Sequence, residues 1–260
     1  MVTLRVLDID LDIFVSPIND HHSSTRLRDE KCVLTSDDAI DYFLMHKCGL
    51  SSSAPKPGAV FEEHNELFDV LKRLVESNQL ADSFELVHVD AHADLGFGQW
   101  SPFEYLLTDL MHRPVHERTS PERGPKGLNR GTVLLFIAAC EWISKLYYVH
   151  HPDDGDDVRE LLLDWNDETE QMSLQIPKCT TDEMDRIISY GVTVDRWEML
   201  SECCIPGRLI PFERSTIESY TGPSEFDFVF LTRSPGFTPR KADAVFEKIR
   251  SMICPIGDWE

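Results

Sequence analysis

Positive charge is what this sequence is short of. Its 260 residues carry 25 Lys+Arg against 46 Asp+Glu, a formal net charge of −21. Such a surface repels a phosphate backbone, so no nucleic-acid partner is expected, whereas a metal ion, a cationic substrate or a basic peptide is attracted. Long apolar runs are missing as well. Nothing approaches the ~20 residues of a membrane-spanning helix, so no membrane partner is expected either. The opening MVTLRVLDIDLDIF breaks its apolar residues with acids and has no small-residue cleavage site, unlike a secretory signal. Cysteine is sparse and unpatterned, with 7 residues and no CxxC pair. That favours a reducing cytoplasm over a disulfide framework or a zinc cage. GxGxxG, Walker and GxSxG motifs are absent, as are repeats and a domain boundary, so a single domain over 1–260 is expected.

What is present alternates. Strands are expected at 4–9, 58–61, 84–90, 145–151, 192–197 and 226–232, where short β-prone apolar runs end in polar clusters. Helices are expected at 36–47, behind a Ser cap, and at 64–80, with apolar residues at Leu67, Val70, Leu71, Leu74 and Val75. Further helices are expected near 103–111 and at 131–143, 180–191 and 238–253, and an exposed one within the acidic tract 152–171. Strands and helices in turn predict a three-layer α/β domain with a mostly parallel sheet. The basic stretch 112–124 reads as a mobile loop able to act as a lid.

Two clusters carry the chemistry. In DIDLDIF, Asp8, Asp10 and Asp12 alternate with aliphatic residues, which in an extended strand aligns the carboxylates on one face. Aligned acids in an apolar strand are tolerable when a multivalent cation neutralises them. In HVDAHAD, Asp90, His92 and Asp94 alternate at the end of another apolar strand, a ligand set suited to a first-row metal. His88 reads as a core histidine. Glu62, Glu63 and His64 also follow a short strand, and His64 adds an imidazole. In open parallel sheets ligands gather at the carboxyl ends of the strands, where both clusters and this third candidate lie.

HVDAHAD resembles the DAHxD signature of the arginase (ureohydrolase) superfamily, DIDLDIF resembles its paired-aspartate signature, and EEH the site of its first histidine ligand. With the late FDFVFLTRSPGFTP, they resemble a divergent branch that includes peptide arginases, which convert arginine side chains of ribosomally made peptides to ornithine. The resemblance implies an arginase-like fold and two Mn(II) ions per chain. Asp90 and Asp10 would bridge the ions, His64 and Asp94 would complete one site, and His92 and Asp12 the other. Asp8 stands where arginases usually have Ser and would support the ligands from behind. The paired-aspartate strand comes first here and later in familiar arginases, so the strand order is permuted. The late glutamate that grips the guanidinium has no match, and His112 and His116 are only positional candidates for the loop histidine that shuttles protons.

The expected reaction is Mn-dependent cleavage of arginine guanidinium groups in a peptide substrate, giving ornithine and urea by attack of a metal-activated hydroxide. Asp94 is the expected catalytic proton carrier. Glu62, Glu63 and Asn129 are the expected substrate contacts. Two other functions fit the same residues: a metal-dependent amidohydrolase, deacetylase or small-molecule ureohydrolase, and an arginase-like domain that binds without catalysis.

Overall fold

The computed structural model describes residues 3–19, 21–96, 98–153, 157–158, 162–189 and 204–257. The strand expected at 192–197 lies outside them. In chain order the strands are β1 (Arg5–Asp10), β2 (Val15–Ser16), β3 (Val33–Leu34), β4 (Lys56–Phe61), β5 (Phe84–Val89), β6 (Ile143–His150), β7 (Leu163–Asn166), β8 (Gln171–Leu174), β9 (Ile210–Thr216), β10 (Phe228–Thr232) and β11 (Ile253–Pro255). The helices are α1 (Asp37–Asp41), α2 (Glu66–Glu76), α3 (Trp100–Thr108), α4 (Val133–Ala139), α5 (Thr181–Ser189) and α6 (Asp243–Arg250). Nine strands form one sheet in the order β11-β4-β10-β1-β5-β6-β9-β8-β7. From β11 to β9 neighbours run parallel, and the β8–β7 hairpin adds to the edge antiparallel.

Strand alternation builds both faces. On one face Val6, Leu86, Leu146 and Phe230 pack with Phe68 and Leu71 of α2, Phe103 of α3 and Phe136 of α4. On the other, Leu7, Ile9, Val87 and Val229 pack with Ile40 of α1 and Phe246 and Ile249 of α6. Each such side chain contributes about 1.5–3 kcal/mol when fully buried, so the sheet is sealed from both sides. The helix-covered sheet is the three-layer α/β arrangement that the alternation predicts. On the first face the apolar file stops short of the carboxyl ends, and the next residues in step are polar: Asp8 and Asp10 on β1, and His88 on β5 with Asp90 just past its end.

Several expectations need correction. The helix expected at 36–47 starts where Ser36 Oγ accepts the Ala39 N–H, but widens into a π-helical stretch over Tyr42–Lys47. Of the acidic tract 152–171, where an exposed helix is expected, residues 154–156 and 159–161 lie outside the described residues. The described part holds β7 and the turn to β8, where Asn166 Oδ1 accepts the N–H groups of Glu168 and Thr169. Asn favours this turn because its side chain mimics the backbone acceptor of a helix or ladder. The cysteines are not all unpaired: Cys179 and Cys204 form a disulfide. The stretch 112–124 is anchored, since buried Arg118 donates to the carbonyls of Arg113 (3.0 Å) and Ala139 (2.9 Å). Among the described residues no helix is long and apolar enough to cross a membrane.

Candidate metal centre

The carboxyl ends of β1, β4 and β5 bring the two clusters and His64 to one place. Strands β1 and β5 are parallel neighbours with Asp8 opposite His88 and Ile9 opposite Val89, so Asp10 and Asp90 leave the sheet side by side. The strand geometry then gives out. β1 ends at Asp10, and Leu11–Phe14 is a tight helical turn in which Asp10 Oδ1 accepts the Asp12 N–H at 3.3 Å. Asp12 therefore reaches the site by a turn, not by strand alternation as expected. β5 likewise ends at Val89. His92 is folded back by its N–H bond to Asp90 Oδ1 (2.8 Å), and Asp94 adopts a left-handed backbone, φ +50°. Such a conformation in a non-glycine residue is strained and is held only by its surroundings.

The side chains converge in two overlapping sets that share Asp90. His64 Nδ1 faces Asp94 Oδ2 at 2.8 Å, Asp90 Oδ2 at 3.1 Å and Asp10 Oδ2 at 3.4 Å. His92 Nδ1 faces Asp12 Oδ2 at 3.0 Å and Asp90 Oδ1 at 3.9 Å. All six residues are buried except His92, whose side chain is 22 % exposed. Burial of so many acids is costly, and the protonation equilibria record it. Burial, and then the charge of Asp12, push the carboxyl groups of Asp10 and Asp90 well above the usual carboxylate range. Burial opposes charge on the imidazoles too, but the acids outweigh it: His64 is held well above its ordinary value, and His92 rises to about 11.

The chemistry of this donor set fits divalent cations. His64 donates from Nε2 to Asp8 Oδ2 at 2.9 Å, which turns Nδ1 toward three carboxylate oxygens. Neither His64 Nδ1 nor Asp94 Oδ2 has a hydrogen-bond partner although both are buried. Donor atoms about 2.1 Å from a small octahedral ion lie about 3 Å from one another, the spacing seen here. With carboxylates in the majority and no thiolate, the set suits harder divalent ions better than soft ones.

Asp8 supports the set from behind. Fully buried, it accepts from His64 Nε2 and, at 2.8 Å, from His88 Nδ1, while His88 Nε2 contacts the His92 carbonyl at 3.2 Å. Burial acts against the Asp8 charge, but the two imidazoles overcome it and hold the carboxyl below its usual range. His88 is thus a partner of the site as well as a core residue. Carboxylates placed like Asp8 fix the tautomer of a metal-binding histidine. For a divalent cation held by this set, Asp8→Ala is expected to weaken binding by about 10–100-fold, with Asp8→Asn retaining more because its oxygen still accepts from Nε2. Competition with a chelating dye measures this, and wild-type affinity in Asp8→Ala would remove the role.

Above the set opens a cavity of about 830 Å³. Asn129 lines it, but its side chain is engaged with Gln99 Oε1 (2.8 Å), Gly127 O (3.1 Å) and the Gly131 N–H (3.0 Å). Glu62 and Glu63 do not line it: Glu62 pairs with Arg233 at 3.2 Å and Glu63 with Arg130 at 3.0 Å. His112 donates to the Cys179 carbonyl and His116 is exposed, both away from the cavity.

Residues that sequence reasoning missed complete the walls. Asp157 accepts from the Ala93 N–H (2.8 Å) and Tyr148 O–H (3.4 Å), and burial raises its carboxyl to about 6. Ser234, at φ +46°, donates to Asp10 Oδ2 at 2.5 Å. The 22–28 segment runs along 236–239, joined by Ser23 N–H to Gly236 O and Leu27 N–H to Thr238 O. His22 packs so closely on Gly236 that a Cβ there would fall 2.3 Å from its ring, and Phe237 lies between the rings of His22 and His92. The His21-His22 doublet and the SPGF turn were the only visible signals for this wall. Compared with protein-family models, curated proteins and solved structures, the chain matches none.

Proposed function

We propose that this chain is a hydrolase with two Mn(II) ions that cleaves the guanidinium of arginine residues in a peptide, leaving ornithine and releasing urea. The observation that carries the reading is the convergence of Asp10, Asp12, His64, Asp90, His92 and Asp94 into two sets sharing Asp90. His64, Asp94, Asp90 and Asp10 would hold one ion, and His92, Asp12, Asp90 and Asp10 the other. When bound, the ions supply a water of lowered pKa and polarise the group under attack.

The arginase-like signatures support the same reading. Their reversed order along the chain does not affect the site, because β1 and β5 are neighbours in space. Familiar arginases would then differ from this chain in where the polypeptide enters a common sheet.

In the proposed reaction water adds at the guanidinium carbon, and the bond from that carbon to the side-chain nitrogen breaks. That nitrogen leaves as an amine after receiving a proton, which Asp94, a carboxylate in the lining of the cavity, carries from the water. Asp157 supplies counter-charge to the bound guanidinium from the wall, and Phe237 bounds the same space with an aromatic ring. A volume of about 830 Å³ lies near the top of the range for small-molecule sites, which suits an arginine presented on a peptide.

The test is urea release. Protein supplemented with Mn(II) is expected to release urea from arginine-containing peptides, with a loss of about 42 Da per arginine (CH2N2 by formula), and Asp94→Asn is expected to lower the rate by at least about 100-fold. Acetate or another carboxylate, in place of urea, from acylated peptides would transfer the site to an amidohydrolase. Neither product would leave a binding domain.

A further inference from the structure

Among the described residues that line the cavity, Arg130 is the single lysine or arginine, set among Asp10, Asp12, Asp90, Asp94 and Asp157. Its backbone is fixed. The Asn129 N–H donates to Thr132 Oγ1 at 2.9 Å, Asn129 Oδ1 accepts the Gly131 N–H, and Gly131 O accepts the Gly96 N–H at 2.9 Å. Its side chain is far less committed. Nη1 lies 3.0 Å from Glu63 Oε2 with both side chains 36 % exposed, and the contact is not aligned as a hydrogen bond. Among the described residues Glu63 is its one ion-pair partner.

A guanidinium offers five N–H donors in a planar fork that matches a carboxylate two to two. One misaligned contact to a half-exposed glutamate uses little of that capacity, and half-exposed pairs of this kind are weak enough to exchange. In a chain of net charge −21, an anionic group is repelled at long range, so a lone cation in this wall acts by contact.

We infer that Arg130 anchors a carboxylate of the substrate, with Glu63 holding the guanidinium in place until that carboxylate displaces it. The ligand is then bipolar, with a cationic group over the acidic floor and an anionic group at Arg130. This rests on the floor being the centre proposed above. The carboxylate has two possible sources: an acidic side chain beside the arginine, or the free carboxyl end of a peptide that terminates in arginine.

Fluorescence anisotropy with Mn(II)-supplemented protein separates them. Four labelled peptides of equal length are needed: a central arginine with neutral neighbours, the same with an adjacent aspartate, and a terminal arginine as free acid and as amide. Wild-type protein is expected to bind at least one carboxylate-bearing peptide about tenfold more tightly than its neutral counterpart, and the preferred pair identifies the source. Arg130→Ala removes the preference, Arg130→Lys keeps part of it, and Glu63→Gln widens it by removing the competing acid. If Glu63 instead bound the substrate cation directly, Glu63→Gln would weaken every peptide alike, which overturns the inference. So does an equal preference in wild type and Arg130→Ala, no preference in wild type, or no binding of any peptide. Urea assayed in the same samples keeps the two readings apart. Arg130-dependent binding without urea removes the hydrolase and leaves the anchor, and urea without carboxylate preference does the reverse.

Discussion

Asp90→Asn is expected to raise the melting temperature of the metal-free protein and to abolish the further rise that Mn(II) gives the wild type. Asp90 is 1 % exposed and lies within reach of both His64 and His92, so both of the proposed ion sites would depend on it. Without a cation it is a buried acid crowded by Asp10 and Asp12, which is why its carboxyl is pushed so far up. An amide of the same shape removes that crowding, and a buried acid whose pKa is raised on folding opposes folding at neutral pH, so its removal stabilises the metal-free protein. A ligand held only by the folded state, at 100 times its dissociation constant, adds about 2.7 kcal/mol, which is the gain expected of wild-type protein with Mn(II). For a chain of 260 residues that is a shift of about 5 °C. Calorimetric melts with chelator and with Mn(II) measure both effects. An undiminished Mn(II) shift in the variant would show that Asp90 is not a ligand.

The second large effect is that metal-free and metal-loaded protein respond to pH in opposite directions. Asp10, Asp90, His64 and His92 all have folded-state pKa values above their ordinary ones, His92 at about 11. A group of this kind stabilises the fold fully below its unfolded pKa, and the contribution is lost as pH rises through the folded value. For the aspartates the loss begins near pH 4, and for the histidines near pH 6.5. Metal-free stability therefore falls as pH rises from about 6 to 9, at a limit of about 1.4 kcal/mol per pH unit for each proton retained only by the folded state. Mn(II) needs the same groups deprotonated, so its affinity rises over that interval and its binding expels protons. Asp8 and Asp12 act the other way. Burial opposes the charge of Asp12, but the hydrogen bond and charge of His92, with the contacts to Asp90 and the Ala91 N–H, together overcome it; both carboxyls sit below their usual range, and their contribution is lost only on acidification below about pH 4. Denaturant melts at pH 6, 7.5 and 9 with and without Mn(II), and titration calorimetry in buffers of different ionisation enthalpy, measure the slopes and the proton release. Parallel slopes would mean that the cluster titrates without regard to a cation.

The floor of the site was legible because it sits where strand alternation runs out. Residues 8 and 10 of β1, and 88 and 90 beside β5, must share a face if Leu7, Ile9, Val87 and Val89 pack on the other, so the polar steps stand out in an apolar file. Asp12, His92 and Asp94 were found by the same periodicity but for an incomplete reason, since turns and a left-handed residue deliver them. The walls were not legible. Asp157 stands in an acidic tract whose other members give it no distinction, and only the fold brings it to the Ala93 N–H. Glu63 looked like a substrate acid because it neighbours His64, but a side chain two residues past a strand answers to whatever loop packs against it, here the one with Arg130. The β7–β8 hairpin and the Cys179–Cys204 bond likewise depend on partners distant in the chain or on turn geometry, which charge density and cysteine spacing do not encode.

The position of β1 in the sheet has a consequence for biosynthesis. Val6 pairs with Leu86 on one side and with Phe228 on the other. At about 5–20 residues per second, a ribosome takes on the order of 11–44 s to pass from the first of these residues to the last. Until then the earliest strand has one open flank, with its backbone hydrogen bonds to β10 unmade. Contacts of such long sequence separation close late and slowly. The strand that carries the aspartates thus takes its last place in the sheet only when nearly nine-tenths of the chain has been made.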